Sequence, residues 1–119
     1  MREVDVGIIT EKVKTLCMEA NFDLGQDVLN AFKGAKAKEE SPTAIEILGQ
    51  LEENASIARE ERVAICQDTG IAVVFVELGQ EVHLGGGDLN GAINEGVRKG
   101  YQEGYLRKSL CHPFTRANT

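Results

Sequence analysis

The chain reads as an α+β protein: an N-terminal helical bundle segment, then a small β-sheet, then a glycine-rich packed helix. Three observations predict this. Apolar residues recur at helical spacing in three blocks within the first sixty positions. That spacing gives way to a continuous β-branched run, Ile71-Ala72-Val73-Val74-Phe75-Val76-Glu77-Leu78. A later block, after Asp88, returns to helical spacing but places glycine at every fourth position. With 119 residues, 42% of them hydrophobic, the chain has the size of one N-terminal domain, with a helical part over 1–60 and an α/β part over 61–119.

The first helix begins near Asp5, carries Val6, Ile9, Val13, Leu16, Cys17 and Ala20 on one face, and stops near Asn21. A second runs from about Gly25 to Lys38, and its lysine-rich end suits the helix dipole. The third has the clearest start, Ser41-Pro42, an N-cap serine followed by proline at the first helical position, and extends to about Arg59. The run from Ile71 then predicts a strand buried on both faces. Gly79-Gln80 turns the chain, 81–84 offers a short partner strand, and Gly85-Gly86-Gly87 breaks it. Asp88 caps a fourth helix reaching about Tyr105. Here Leu89, Ile93, Val97, Tyr101 and Tyr105 form one row, and Ala92, Gly96, Gly100 and Gly104 form the next. A mid-helix glycine costs up to about 1 kcal/mol relative to alanine, so three in register predict close approach of another backbone.

The formal charge of −6 argues against general nucleic-acid binding. It is unevenly placed. Residues 1–97 hold 8 basic and 18 acidic side chains, whereas 98–119 hold Arg98, Lys99, Arg107, Lys108 and Arg116 against Glu103 alone. A basic C-terminal stretch on an acidic body suits an anionic small ligand or a partner surface. Arg98, Lys99 and Lys108 are equally readable as solvated side chains. Three cysteines at irregular spacing, with no secretion signal at the N-terminus, read as cytosolic thiols rather than a disulfide framework. No apolar run approaches the ~20 residues of a membrane span. The chain ends in polar sequence without a closing element, and the expectation is a fragment of something longer.

Chemistry concentrates at Ile65-Cys66-Gln67-Asp68-Thr69-Gly70, where a thiol, an amide and a carboxylate adjoin a turn before the apolar run. Cys66 has three readings: a small buried hydrophobe, a metal ligand, or a nucleophile without an evident base. A zinc site from Cys66, Cys111, His112 and His83 lacks the usual ligand spacings. The Gly85–Gly87 run lacks the endings of phosphate-binding loops and adjoins Asp88, which would repel phosphate. Arg107 could grip a carboxylate with paired hydrogen bonds.

Cys66-Gln67-Asp68-Thr69-Gly70, Gly96-Val97-Arg98-Lys99-Gly100-Tyr101, Leu106-Arg107-Lys108-Ser109 and Pro113-x-x-Arg116-x-Asn118-Thr119 together resemble class I fumarate hydratase and L-tartrate dehydratase, in the α-subunit or the N-terminal region. The resemblance covers most of the chain in the same motif order. It implies an iron–sulfur hydro-lyase of the cytoplasm and the tricarboxylic acid cycle, acting on a C4 dicarboxylate. Cys66 would be one of three thiolate ligands to a [4Fe–4S] cluster, leaving one iron open to substrate. Gln67, Asp68 and Arg107 would contact substrate, with Asp68 also catalytic. Cys17 and Cys111 match no cluster ligand, so the other ligands are expected outside this chain. The chain alone is then expected to be inactive and to need the remainder of its subunit, a β-subunit or C-terminal domain, and a homo-oligomeric assembly. Two rival readings are a non-catalytic assembly domain, with the fourth helix as packing face, and a zinc-binding module.

Overall fold

In the computed structural model, which describes residues 1–66 and 70–119, the order of elements is β1 (Arg2–Asp5), α1 (Val6–Phe22), α2 (Gln26–Lys38), α3 (Pro42–Glu61), β2 (Val82–Gly85) and α4 (Leu89–Glu103). The fold is α+β. Two compact units divide it: Met1–Glu19 with Asp68–Thr119, and Ala20–Gln67.

In the first unit β1 and β2 pair in parallel, Arg2 opposite Val82 through Asp5 opposite Gly85. Parallel strands need a long crossover, and here everything from α1 to residue 81 lies between them. Asp5 ends β1 and starts α1, its carboxylate accepting from the Gly7 amide at 2.8 Å. The same carboxylate lies where a side chain on Gly86 would project, and Gly86 has φ +85°, so glycine serves both needs there. Asp88 caps α4 as its sequence suggests, accepting from the Gly91 amide at 2.8 Å.

The glycine row of α4 packs on α1. A Cβ on Gly96 would stand 2.6 Å from the Thr10 carbonyl oxygen and 2.7 Å from Val13 Cβ, and one on Gly100 would stand 2.9 Å from both Cys17 Cβ and the Lys14 carbonyl oxygen. Ala92, Gly96 and Gly100 are buried. The Thr10 hydroxyl donates to the Ala92 carbonyl at 2.9 Å inside this seam. Gly104 caps the helix and continues the row: it is buried, and a Cβ there would stand 3.1 Å from Met18 Cγ of α1. Outside the seam, Lys14 bridges Glu11 (2.9 Å) and Glu103 (3.1 Å), and Lys99 reaches Glu11 at 3.1 Å. Hydrogen bonds from Lys14 and then Lys99 hold the Glu11 carboxyl below its ordinary range, and Glu11 and Glu103 raise the Lys14 ammonium. The Glu11 pairing thus operates above the ordinary carboxylate range and fades as pH falls through the lowered value. The Lys14 pairing fades only as pH rises past the raised lysine value.

In the second unit α2 and α3 pack together, with Lys36 and Glu52 paired at 3.0 Å. Ser41 caps α3, accepting from the Ala44 amide, with Pro42 in the first turn. Ser41→Ala should lower stability by about 1 kcal/mol, read as a shifted urea midpoint at unchanged slope. At the other end Arg62 adopts a left-handed conformation (φ 55°), donates to Asp23 at 2.9 Å and stacks 5.0 Å above the Phe22 ring. Arg59 donates to the Leu24 carbonyl at 3.1 Å, so two arginines tie the end of α3 to the α1–α2 connection.

Two expectations differ from the structure. A four-residue strand, β1 (Arg2–Asp5), precedes the first helix, where the sequence reading places no element. The run 71–78 is not a buried strand. It forms no ladder, makes no backbone hydrogen bond among the described residues, and exposes Phe75 (93%), Ile71 (71%) and Val73 (67%). Its β-branched composition favours a strand, but burial needs neighbouring strands, and the nearest strand in sequence, β2, pairs with β1 instead.

Candidate functional site

Cys66 follows α3 on a stretch held by helices rather than by a sheet. The Ile65 amide donates to the Asn21 carbonyl at 2.8 Å, and the Cys66 amide donates to Asn54 Oδ1 at 2.9 Å. Ile65 is thereby buried and the Cys66 thiol exposed. The polypeptide thus presents a thiol at a backbone position fixed from two sides. Gln67 and Asp68 lie outside the described residues.

Cys17 has the opposite character. It is buried in the α1–α4 seam, and burial pushes its thiol up, keeping it protonated and a poor ligand. Cys111 is exposed in the C-terminal segment, bridged to Asn118. His112 Nδ1 accepts from the Phe114 and Thr115 amides, both at 3.3 Å, which commits that ring nitrogen to a turn. Among the described residues no three His, Cys, Asp or Glu side chains cluster as metal ligands. Neither a zinc site nor a complete iron–sulfur ligand set is assembled among the described residues. The exposed Cys66 fits the role of one ligand.

Within the first unit a groove of about 410 Å³ opens beside α4. Its walls are residues 70–72, the α4 side chains Asn94, Arg98 and Tyr101, and the segments 108–110 and 118–119. Each segment adjoins a motif singled out above: 70–72 follows Gln67-Asp68-Thr69, 108–110 follows Arg107, and Asn118-Thr119 closes the last one. The C-terminal wall is shaped internally. Leu106 is buried, the His112 amide donates to the Ala117 carbonyl at 2.7 Å, and Asn118 Nδ2 donates to the Leu110 carbonyl at 2.7 Å. Burial, and the nearby Cys17, push the Tyr101 hydroxyl up, so it remains a neutral hydrogen-bonding group at physiological pH.

The two cations of the groove differ. Arg98 is gripped by both Glu95 oxygens, and its Nη1 donates to Gln102 at 3.0 Å. Lys108 forms no ion pair among the described residues. Arg107 does not line the groove. Its Nε donates to Ser109 Oγ at 3.1 Å, and Ser109 does line it. The basic stretch after α4 was legible in the sequence, but not which of two adjacent cations faces the groove.

The sequence that builds this groove matches known proteins. The family described as "Fumarate hydratase (Fumerase)" matches residues 10–119. The chain belongs to this family. It is 38% identical over 111 residues to the protein of Methanocaldococcus jannaschii named "Putative L(+)-tartrate dehydratase subunit alpha", covering 92% of this chain and 39% of that one. It is 41% identical over 61 residues to "Fumarate hydratase class I, aerobic" of Escherichia coli, covering 51% of this chain and 11% of that one. The chain thus spans well under half the length of these relatives. No described helix is long and apolar enough to cross a membrane.

Proposed function

We propose that this chain supplies one cluster thiolate and part of the substrate groove of a hydro-lyase that adds water across the double bond of a C4 dicarboxylate, or removes it: fumarate to malate, or tartrate dehydration. The observation that carries this reading is the convergence of three motif segments on one groove in a chain of the fumarate hydratase family. In hydration a C–O bond forms at one alkene carbon and a C–H bond at its neighbour, so the site must place water, move one proton and hold two carboxylates. Cys66, exposed on its pinned backbone, would be one thiolate ligand of a [4Fe–4S] cluster whose remaining ligands would come from residues beyond these 119. When bound, that cluster supplies a Lewis acid for the substrate oxygens. Asp68 carries the proton, and Gln67 orders the substrate beside it. Arg107 binds a carboxylate, its Nε steadied by Ser109. The remainder of the subunit and a β-subunit or C-terminal domain complete the site, in a cytoplasmic homo-oligomer of the tricarboxylic acid cycle.

The rival assembly-domain reading takes α4, with its glycine row, as a packing face and Cys66 as buried, whereas the Cys66 thiol is exposed. That row is already occupied by α1.

Fumarate consumption, followed by its ultraviolet absorbance after anaerobic iron and sulfide reconstitution, tests the proposal. The 119-residue chain alone should show no turnover, and the longer protein containing it should. Turnover by the chain alone overturns the ligand assignment. A longer protein with an intact cluster but no action on fumarate, malate or tartrate overturns the hydro-lyase reading.

A further inference from the structure

We propose that the groove beside α4 is a carboxylate-binding subsite whose cation is Lys108, distinct from the role given to Arg107. The reasoning starts from which charges in the groove are already neutralised. Arg98 is the larger cation there, but Glu95 chelates its guanidinium, with Nε at 2.7 Å, and Gln102 takes a further nitrogen. The consequence is visible in Glu95, whose carboxyl is held below its ordinary range, first by hydrogen bonding to Arg98. Arg98 therefore presents little net charge to the groove and acts as a rigid wall.

Lys108 is different. It lines the same groove, is exposed, and has no acidic partner among the described residues. An ammonium at a concave, partly apolar surface attracts an anion more strongly than one on open surface, because the walls exclude water from one side. Neutral donors surround it. The Ser109 oxygen already accepts from Arg107 Nε, which leaves its own O–H to donate into the groove. Asn94 adds an amide from α4, and the Tyr101 hydroxyl remains protonated. Asn118 spends one N–H on the Leu110 carbonyl, which fixes its side chain, and its second N–H remains available. One ammonium with several neutral donors beside it suits a carboxylate; it lacks the paired guanidinium expected for tight phosphate binding.

The subsite also has a reason to be separate from Arg107. The chain after α4 is non-helical, so neighbouring side chains diverge, and only the second of the two cations lines the groove. A molecule with carboxylates at both ends can engage two such cations without crowding them together. The identity of the ligand as a C4 dicarboxylate rests on the function proposed above; the subsite itself rests on the groove and its charges.

The test titrates the 119-residue chain, labelled with ¹⁵N, with L-malate, L-tartrate and fumarate into the tens of millimolar, against sodium chloride at equal ionic strength. The expected result is saturable amide shifts confined to 70–72, 94–101, 108–110 and 118–119. Lys108→Met should weaken binding about tenfold, as for loss of one charge-assisted hydrogen bond, while Lys108→Arg retains it. Lys108 is exposed, so both variants should keep the wild-type spectrum elsewhere. No saturable shift beyond the chloride control, or equal affinity in Lys108→Met, overturns the subsite. If the longer protein fails to hydrate fumarate while this chain still binds through Lys108, the function proposal falls and the subsite stands. If the longer protein is active and Lys108→Met leaves its KM unchanged, the subsite falls and the function stands.

Discussion

Gly96→Leu should destabilise the first unit by about 3 kcal/mol or more, enough to unfold much of a marginally stable domain at ambient temperature. Even the first added carbon would stand 2.6 Å from the Thr10 carbonyl oxygen and 2.7 Å from Val13 Cβ. Neither neighbour is a flexible side-chain tip. One is helix backbone, and the other is a β-branched carbon held against it. Relief requires α4 to lift from α1, which breaks the buried Thr10–Ala92 hydrogen bond at 2.9 Å and opens the ion pairs from Lys14 and Lys99. Gly34 is the internal comparison. It lies in α2 with nothing within 4 Å of an added Cβ, so Gly34→Ala should stabilise by about 0.5–1 kcal/mol through helix propensity. Thermal melts of both variants measure the difference. A neutral Gly96→Leu would mean that the α1–α4 seam is not closed in solution.

Cys66→Ser in the longer protein should abolish both activity and the broad visible absorbance of an iron–sulfur cluster. A serine hydroxyl at neutral pH is neither deprotonated nor soft, so it replaces a thiolate ligand poorly. The substitution should leave the fold intact. The thiol is exposed, and the contacts that hold this stretch are made by the Ile65 and Cys66 amides, to Asn21 and Asn54, rather than by sulfur. Cys17→Ser makes the contrast. It should keep the cluster and lose stability, because it places a hydroxyl in the α1–α4 seam. Full iron, sulfide and turnover in Cys66→Ser would refute the ligand assignment.

Much of the fold was legible where local chemistry decides it. Ser41-Pro42 and Asp88 announce helix starts because a short polar side chain satisfies amides within its own turn, and both do so here. The glycine row was legible because a stable helix has few other uses for it. The strand β1 was not, since four residues with three charges, Arg2, Glu3 and Asp5, take their identity from a partner eighty positions away. The run 71–78 failed for the same reason in reverse: its composition favours a sheet, and no strand among the described residues joins it. At the candidate site, Cys66 stood out by its polar neighbours, and the basic stretch by its charge. Lys108 did not separate from Arg107, because adjacent residues share a sequence neighbourhood but not a direction, and only the turn after α4 tells them apart.

The open run 71–78 has a consequence for the chain as a material. Eight successive residues make no backbone hydrogen bond among the described residues and present β-branched and aromatic side chains, and Glu77 is the one charge among them. Such a segment is a template for its own kind. Two chains that meet there can zip edge to edge, and the product has a fresh edge for a third. The time for which a solution of this chain stays clear should therefore depend on concentration more than on the melting point of its helices. Dilution should preserve the chain, whereas salt and crowding should favour its association.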